Sequence, residues 1–253
     1  TIPACVGPSG KGGEEMALSV AGVDGCRGGW VVVVWDDAGP AFSCRVAEDF
    51  DEVLAAAADA RVIGIDIPIG LLDHALPGGR VCDVFARRLL HPCRTSSVFS
   101  PPVRSALDAP TYAEALAANR ASSHHGLGLS QQCFGIAPKI REVDRAMTPE
   151  LQARVREVHP EISFQVMNHG AALTHPKRTL EGRAERLELA ARGGFAPLLA
   201  QVLCAPLAGA GPDDLLDACA ACWSARRIAE GLGEPLPREP RLDARGLRMA
   251  IWF

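Results

Sequence analysis

Residues 18–35 read LSVAGVDGCRGGWVVVVW, and this stretch decides the fold. Both of its ends are apolar and rich in β-forming residues, and the glycine-rich segment 25–29 between them is typical of a tight turn. A second turn at 36–40 precedes another β-forming run at 42–46. The sequence therefore predicts an antiparallel meander of three strands.

The next apolar run, RVIGIDI at 61–67, has the pattern of a central buried strand and follows a helix predicted over 49–60. A shorter β-like segment lies at 154–158. Further elements are predicted from periodicity and from proline and glycine positions: helices at about 80–91, 111–121, 129–147 and 213–230, two helical stretches within about 181–205, and a last edge strand at 246–253. This order predicts an α/β, ribonuclease-H-like mixed sheet of five strands in the order 3-2-1-4-5, flanked by helices. A helical insertion at about 80–150 separates strands 4 and 5.

The composition limits the classes of protein to which this chain can belong. The chain has 253 residues, of which 48% are apolar and 22% charged, with a net charge of −4. We expect a disordered leader over 1–17 and one domain over 18–253. Nine cysteines, an odd number, indicate free thiols and a cytoplasmic location. No apolar run reaches the ~20 residues of a membrane span, so no membrane association is predicted. The sequence leaves a homodimer open.

Two aspartates lie inside apolar strands in matching contexts, Gly22-Val23-Asp24 and Gly64-Ile65-Asp66. Aspartate is depleted from strand interiors, and a buried carboxylate is costly unless it is paired. On neighbouring strands ~4.8 Å apart the two carboxylates would lie side by side and require a counter-charge. Oxygen ligands favour Mg²⁺ or Mn²⁺. Alternatively, both aspartates end their strands and accept hydrogen bonds from loop amides.

A third acidic cluster lies in DDLLDA at 213–218, where Asp214 and Asp217 share a helix face. Asp213 and Asp214 follow Pro212 and would also serve as helix caps. Asp217 lies further inside the helix, where aspartate is unfavourable, which favours a metal ligand. Asp214 and Asp217 are therefore predicted to join Asp24 and Asp66 as metal ligands.

Glu161 follows His159-Pro160 at the end of the short 154–158 strand. Proline breaks the strand there, so Glu161 is expected at the sheet rim on the ligand-binding side, as a fourth metal ligand or a base. His159 is expected to donate a hydrogen bond to a nearby backbone group or carboxylate rather than to act on substrate.

Polar residues within the insertion are candidates for phosphate binding. Arg94, Ser96 and Ser97 combine a guanidinium with two hydroxyls, and Lys139 lies in a later predicted helix. The same residues would also suit a solvated surface with a serine cap, and the sequence leaves the two interpretations even.

Six motifs together resemble a widespread, poorly characterised family of predicted ribonuclease-H-like nucleases, a "domain of unknown function" family. In chain order they are GVDGCRGGW (22–30), IGIDIPIGL (63–71), RTSSVF (94–99), KIREVD (139–144), EVHPEISF (157–164) and DDLLDA (213–218). The matches run from about residue 20 to the C-terminal GLRMAIWF, so they cover nearly all of the chain. Each motif alone would be weak; their order makes the resemblance specific.

The resemblance implies a ribonuclease-H-like fold and metal-dependent phosphodiester hydrolysis. Asp24, Asp66 and the Asp214/Asp217 pair are similar in order to the acids of Holliday-junction resolvases of the same superfamily. Those enzymes carry glutamate where this chain has Asp66, and they lack the 80–150 insertion.

The residues and the resemblance together predict a nuclease or phosphodiesterase that uses two Mg²⁺ or Mn²⁺ ions. Asp24, Asp66, Glu161 and Asp217 would be the catalytic residues, and the substrate would be nucleic acid or a nucleotide-like phosphodiester. The alternative is a non-catalytic binding or scaffold module that keeps the fold, which the net acidity favours.

Overall fold

The computed structural model describes residues 18–38 and 42–253. Its main sheet has five strands in the order β3-β2-β1-β4-β5. They are β1 Ser19–Cys26, β2 Gly29–Asp36, β3 Phe42–Ala47, β4 Val62–Ile65 and β5 Val155–Glu157. β2 is antiparallel to β1 and β3, whereas β4 is parallel to β1 and β5. The predicted mixed α/β sheet and its strand order are confirmed; the predicted leader at 1–17 lies outside the described residues.

Helices flank this sheet on both faces. They are α1 Phe50–Ala56, α2 Val81–Leu89, α3 Tyr112–Ala121, α4 Gln131–Ala146, α5 Pro160–Met167, α6 Leu180–Ala190, α7 Ala196–Cys204 and α8 Pro212–Ala229. α2, α3 and α4 lie between β4 and β5, where the sequence predicts a helical insertion. The helix predicted over 49–60 is shorter in the structure, because Ala57 ends α1.

The two faces of the sheet follow from the alternation of side chains in β1. Ala21 and Val23 belong to the core that includes residues of α1 and α4, whereas Val20 belongs to the core that includes α8. Gly22 lets α8 approach the sheet closely, since a Cβ there would lie 2.1 Å from the Ala218 carbonyl oxygen. This contact fixes the middle of α8 over β1.

Helix α5 differs from the sequence-based expectation, which places no helix directly after β5 and starts the next one at about 181. Pro160 occupies the first turn of α5, where the missing N–H of proline is not needed and its fixed φ favours the helix. Proline therefore starts a helix here and does not only end a strand. Glu161 consequently lies in the first turn of a helix and is buried.

The last edge strand that the sequence predicts at 246–253 is present, and it belongs to a second, smaller sheet. β7, Arg248–Trp252, pairs with β6, Pro235–Leu242, in a separate two-stranded sheet. A single bridge between Val158 and Trp252 links this ribbon to the end of β5. The three prolines of β6 obscure it in the sequence, because proline cannot donate to a strand ladder and is tolerated only at edges.

The segment that spans α6 and α7 resembles a membrane span by length and composition alone. Leu180–Cys204 has a mean hydropathy of 1.2 over its most apolar window, of which 28% is buried. Gly194, at φ 106°, breaks the segment into two helices, and Arg186 within it is 2% exposed. Both features suit a pair of helices that pack against the rest of the protein. The absence of membrane association stays a prediction.

All eight cysteines in the described part of the chain are free. Burial raises the pKa of the Cys219 and Cys222 thiols, which face the sheet from α8. Free thiols agree with the predicted reducing compartment, and the cytoplasmic location itself stays a prediction.

Candidate active site

Asp24 and Asp66 lie at equivalent positions on neighbouring strands. Val23 and Ile65 are register partners in the parallel pair β1–β4, and an aspartate follows each of them: Asp24 within β1 and Asp66 directly after β4. The Asp66 amide donates to the Val23 carbonyl oxygen at 3.0 Å, which continues the ladder by one step. Asp24 is 8% exposed and Asp66 is partly exposed. The structure thus brings together the two acids that the matching sequence contexts predict.

Asp217 of α8 joins these two carboxylates. It is buried, and its negative charge acts on Asp24 more strongly than that of any other residue. Burial raises the pKa of Asp24 well above its ordinary value, and the charges of Asp217 and Asp66 raise it further. Asp24, Asp66 and Asp217 are called the acid cluster below.

The other two carboxyls of the acid cluster also resist ionisation. Burial raises the pKa of Asp66, against the opposing charges of His159 and Lys177. Burial likewise raises the pKa of Asp217 to about 6, although the Lys177 ammonium lowers it. Shared burial and mutual repulsion therefore leave the acid cluster short of positive charge.

Lys177 contacts the acid cluster but is absent from the site residues that the sequence pattern predicts. Its Nζ donates to Asp217 Oδ2 at 2.9 Å. Burial lowers the pKa of Lys177. The carboxylates of Asp217, Asp66 and Asp24 more than offset this effect, so the pKa of Lys177 is raised above its ordinary value. Lys177 lies in a polar loop without periodicity, so its only signal is the scarcity of lysine, with three in the whole chain.

Glu161 is close to the acid cluster, because its charge raises the pKa of both Asp66 and Asp217. Its carboxylate is held by Arg186 of α6 through hydrogen bonds of 2.6 to 3.0 Å, and Arg186 is 2% exposed. Arg94 Nε lies 3.8 Å from Glu161 Oε2. Both Glu161 oxygens are thus already engaged by a buried guanidinium, which does not favour a role as metal ligand or base.

Asp214 serves as a helix cap. Its Oδ2 accepts a hydrogen bond from the Gly211 amide at 2.8 Å, at the start of α8. Asp213 accepts from Arg183 Nε at 2.9 Å. The structure therefore supports the capping interpretation for Asp214, whereas Asp213 pairs with Arg183 of α6. Asp217 is the member of the DDLLDA motif whose charge acts most strongly on Asp24, and the charge of Asp214 adds to it.

Lys139 lies on the opposite face of the sheet from the acid cluster. Its ammonium donates to the Gly29 carbonyl oxygen and lies 4.4 Å from the centroid of the Trp30 ring. Trp30 belongs to the core on the α1 and α4 side, whereas Asp217 projects from α8 on the other side. The predicted substrate contact of Lys139 is not supported, because α4 packs this side chain against the β1–β2 turn.

Arg94 and its neighbours form a polar segment at the edge of the site. Ser97 donates its hydroxyl to the Arg94 carbonyl oxygen at 2.7 Å, and Ser96 is exposed. Arg94 Nε and Nη2 and Thr95 Oγ1 are buried and have no hydrogen-bond partner among the residues that the structure describes. His159 Nε2 lies 3.4 Å from the Ser97 carbonyl oxygen, and its Nδ1 is also buried without a partner. Backbone bonding by His159 agrees with its predicted role.

A buried ion network fixes the chain directly after Asp66. Arg80 donates to Glu157 at 2.6 and 2.8 Å, to Asp83 at 2.7 Å and to the Ile69 carbonyl oxygen at 3.1 Å. Glu157 Oε2 also accepts from the Ile69 amide at 2.7 Å. Because Arg80 and both carboxylates are buried, this network holds the end of β4 in one position relative to β5.

Within residues 18–38 and 42–253, no three His, Cys, Asp or Glu side chains are close enough together to hold a metal ion as they stand. The acid cluster is therefore not a closed coordination shell in this arrangement. Its donors nevertheless suit a hard divalent cation, since all are carboxylate oxygens and they lack sufficient counter-charge. Carboxylate oxygen is the ligand type that Mg²⁺ and Mn²⁺ prefer, but in the described residues the side chains are not placed as a site for either ion.

The family model described as "Protein of unknown function (DUF429)" matches residues 22–242. The chain belongs to this family. No curated protein and no solved structure matches it. The matched range of the DUF429 family contains all three members of the acid cluster together with Lys177, Glu161 and Arg186.

Proposed function

We propose that this DUF429 protein is a metal-dependent phosphodiester hydrolase, a nuclease with a ribonuclease-H-like fold, and that the acid cluster is its active site. One observation carries the proposal: Asp24, Asp66 and Asp217 converge, largely buried, from two neighbouring strands and a helix. Three such carboxylates are costly for the fold to keep. A site that binds a cation explains why they are there.

The sheet order supports the ribonuclease-H-like part of the proposal. An antiparallel meander joined to parallel β4 and β5 places the acid cluster at the carboxyl ends of β1 and β4. Ligands bind at that end in open α/β sheets. α8 then adds Asp217 from above the sheet.

Asp24, Asp66 and Asp217 would hold Mg²⁺ or Mn²⁺, since Asp214 and Glu161 are engaged elsewhere. When bound, such an ion polarises a phosphoryl oxygen and lowers the pKa of a water molecule. The protein fixes the positions of these carboxylates. Arg80 holds the chain after β4 through Glu157 and Ile69, and Gly22 sets the distance between α8 and β1.

Arg94 is the substrate-binding residue that the structure supports best. Within residues 18–38 and 42–253, its Nε and Nη2 have no hydrogen-bond partner. Its side chain is 16% exposed and lies beside Glu161, whose charge acts on Asp217. An anion is the ligand that satisfies unpaired guanidinium donors, and phosphate matches their fork geometry. Thr95 adds an unpartnered hydroxyl, and exposed Ser96 is free to reach the same group, whereas Ser97 is already bonded to backbone. The substrate is thus a nucleic acid or a nucleotide-like phosphodiester.

The test is cleavage of RNA, DNA, hybrid and branched substrates with Mg²⁺ or Mn²⁺. D24N should abolish activity. D213N is the matched control, because it removes one charge from the same region but Asp213 bonds Arg183 outside the cluster. Activity that survives D24N would refute the assignment of the active site.

A non-catalytic binding or scaffold module is the second candidate, and the open arrangement of the carboxylates favours it. Calorimetric titration with Mn²⁺ separates the two candidates. Binding by the wild type that is lost in D24N supports the hydrolase, whereas a protein that binds no Mn²⁺ and cleaves no substrate is the scaffold.

A further inference from the structure

We propose that two arginines at the β7 edge of the fold bind the phosphate groups of a nucleic-acid strand that extends from the acid cluster. The substrate is then a nucleic acid and not a small phosphodiester. Arg156 of β5 and Arg248 and Trp252 of β7 are called the ribbon patch below. This inference rests on the proposed function and chooses between the two substrate classes that Arg94 and the acid cluster leave open.

The ribbon patch begins at the same level of the sheet as the acid cluster. Ile65 and Glu157 are register partners in the parallel pair β4–β5. The residues that follow them, Asp66 and Val158, therefore lie side by side. Val158 in turn forms a parallel bridge to Trp252 of β7. At ~4.8 Å between neighbouring strands, the backbone of Trp252 lies about 10 Å from that of Asp66 along this row.

The ribbon patch also lies on the same face of the sheet as the acids. Gly64 faces α8, since a Cβ there would lie 2.5 Å from the Ala221 carbonyl oxygen. Asp66 follows two residues later, and Arg156 is the register partner of Gly64, so both side chains project on the α8 side. The Arg156 guanidinium lies over the Trp252 ring, 5.2 Å from its centroid. The acid cluster and the ribbon patch thus share one face.

The ribbon patch carries positive charge without an opposing carboxylate. No salt bridge within residues 18–38 and 42–253 includes Arg156 or Arg248. Burial lowers the pKa of Arg156, and the positive charge of Arg248 lowers it further, so the two guanidiniums are close enough to repel each other. A phosphate group offsets this repulsion, and its oxygens match the geometry of guanidinium donors.

One buried residue, Gln152, positions both arginines. Its side-chain amide donates to the Arg248 carbonyl oxygen at 2.7 Å and accepts from the Arg248 N–H at 2.8 Å. Its own carbonyl oxygen accepts a hydrogen bond from Arg156 Nη1. The Arg248 side chain stays exposed above this fixed backbone. A pair held in this way loses less conformational freedom on binding than two mobile surface arginines would.

The distance between the acid cluster and Arg248 sets the length of strand that contacts both. Arg248 lies four residues before Trp252, which is ~13 Å along β7. Together with the ~10 Å across the sheet, this separation places the backbone of Arg248 about 16 Å from that of Asp66. A nucleic-acid strand advances ~3.4 Å per nucleotide, so about five nucleotides span this distance. A dinucleotide at the acid cluster is too short to contact Arg248.

The experiment compares wild type, R248Q and R238Q, each first shown to be folded by circular dichroism. Arg238 is exposed on the same ribbon but pairs with Glu234 at 3.3 Å, so R238Q removes the same charge outside the ribbon patch. Fluorescence anisotropy in EDTA measures binding to a labelled single strand of about 12 nucleotides, long enough to span both sites. We expect R248Q to bind this strand about two- to fivefold more weakly, and R238Q to bind it as wild type does. The slope of log Kd against log salt concentration should fall by about 0.7 in R248Q.

Cleavage in Mn²⁺ then tests the dependence on length. R248Q should raise KM for the longer strand by a similar factor and leave kcat/KM for a dinucleotide at the wild-type value. D24N should lose cleavage of both substrates, because Asp24 belongs to the acid cluster and Arg248 does not.

R248Q that binds and cleaves the longer strand as wild type does would overturn the proposal. An equal effect of R238Q, or an equal loss of activity on the strand and the dinucleotide in R248Q, would overturn it as well, because neither shows a local contact. In these cases the proposed hydrolase stands. Wild type that cleaves no substrate would instead contradict the proposed function, and the anisotropy measurement, which needs no cleavage, still decides whether Arg248 binds the strand.

Discussion

The acid cluster makes metal-free protein lose stability as the pH rises from 5 to 7.5. Burial raises the pKa of Asp217 from 3.8 to about 6. Between these values the folded state binds a proton that the unfolded state has released, so folding is favoured at the lower pH. The contribution is fully present below pH 3.8 and is lost as the pH rises through about 6.

The size of this effect follows from the shift. At 1.36 kcal/mol per pKa unit, Asp217 contributes about 3 kcal/mol in total, of which about half is lost between pH 5 and 7.5. The raised pKa values of Asp24 and Asp66 act in the same direction. Carboxyls whose pKa is lowered, such as Glu185 at about 2, change protonation below this window.

Urea denaturation in EDTA at pH 5 and pH 7.5 measures the free energy of unfolding. Wild type should be more stable at pH 5, and D217N should show a smaller difference, because asparagine stays neutral at both pH values. D213N should keep the wild-type difference, since Asp213 lies outside the acid cluster and is paired with Arg183. Wild type that is less stable at pH 5, or D217N with an unchanged difference, would refute the reasoning.

Three further predictions concern the residues that support the site. R186M should lower the free energy of unfolding by about 3–5 kcal/mol in urea denaturation, because Glu161 would stay buried without its partner; a loss below about 1 kcal/mol would contradict the buried pair. G22A should cost more than about 3 kcal/mol, since its Cβ meets the α8 backbone, whereas G135A should gain about 0.5–1 kcal/mol, because Gly135 lies inside α4 and its Cβ would meet nothing within 4 Å. Equal melting temperatures of the two variants would contradict this contrast. K139M should leave Mn²⁺ affinity unchanged by calorimetry, because Lys139 packs on Trp30; a weakened affinity would place it in the site.

The meander and the central strand could be predicted because their signals are local. The valine run of β2, the glycine-rich turn before it and the continuous apolar run of β4 each specify a strand without help from distant residues. The matched contexts of Asp24 and Asp66 then predict that the two acids meet, since parallel neighbours keep equivalent positions together.

The remaining contacts depend on tertiary structure that no local pattern encodes. Arg186 meets Glu161 only because α6 packs against α5, and Lys177 reaches Asp217 only because its loop is tied to α6. β6 is a strand despite its prolines, because it pairs on one side only, with β7. Long-range packing of this kind determines which of the predicted acids keep carboxylate oxygens that are not already bonded to other groups of the protein.

The most direct test of the central claim is anomalous diffraction from crystals of the protein soaked in Mn²⁺. The account predicts a Mn²⁺ peak bound by the carboxylates of Asp24, Asp66 and Asp217, with the Lys177 ammonium still beside Asp217. Crystals with no peak at the acid cluster, or with Mn²⁺ bound only elsewhere on the chain, would contradict the claim that these three carboxylates form a metal-dependent active site.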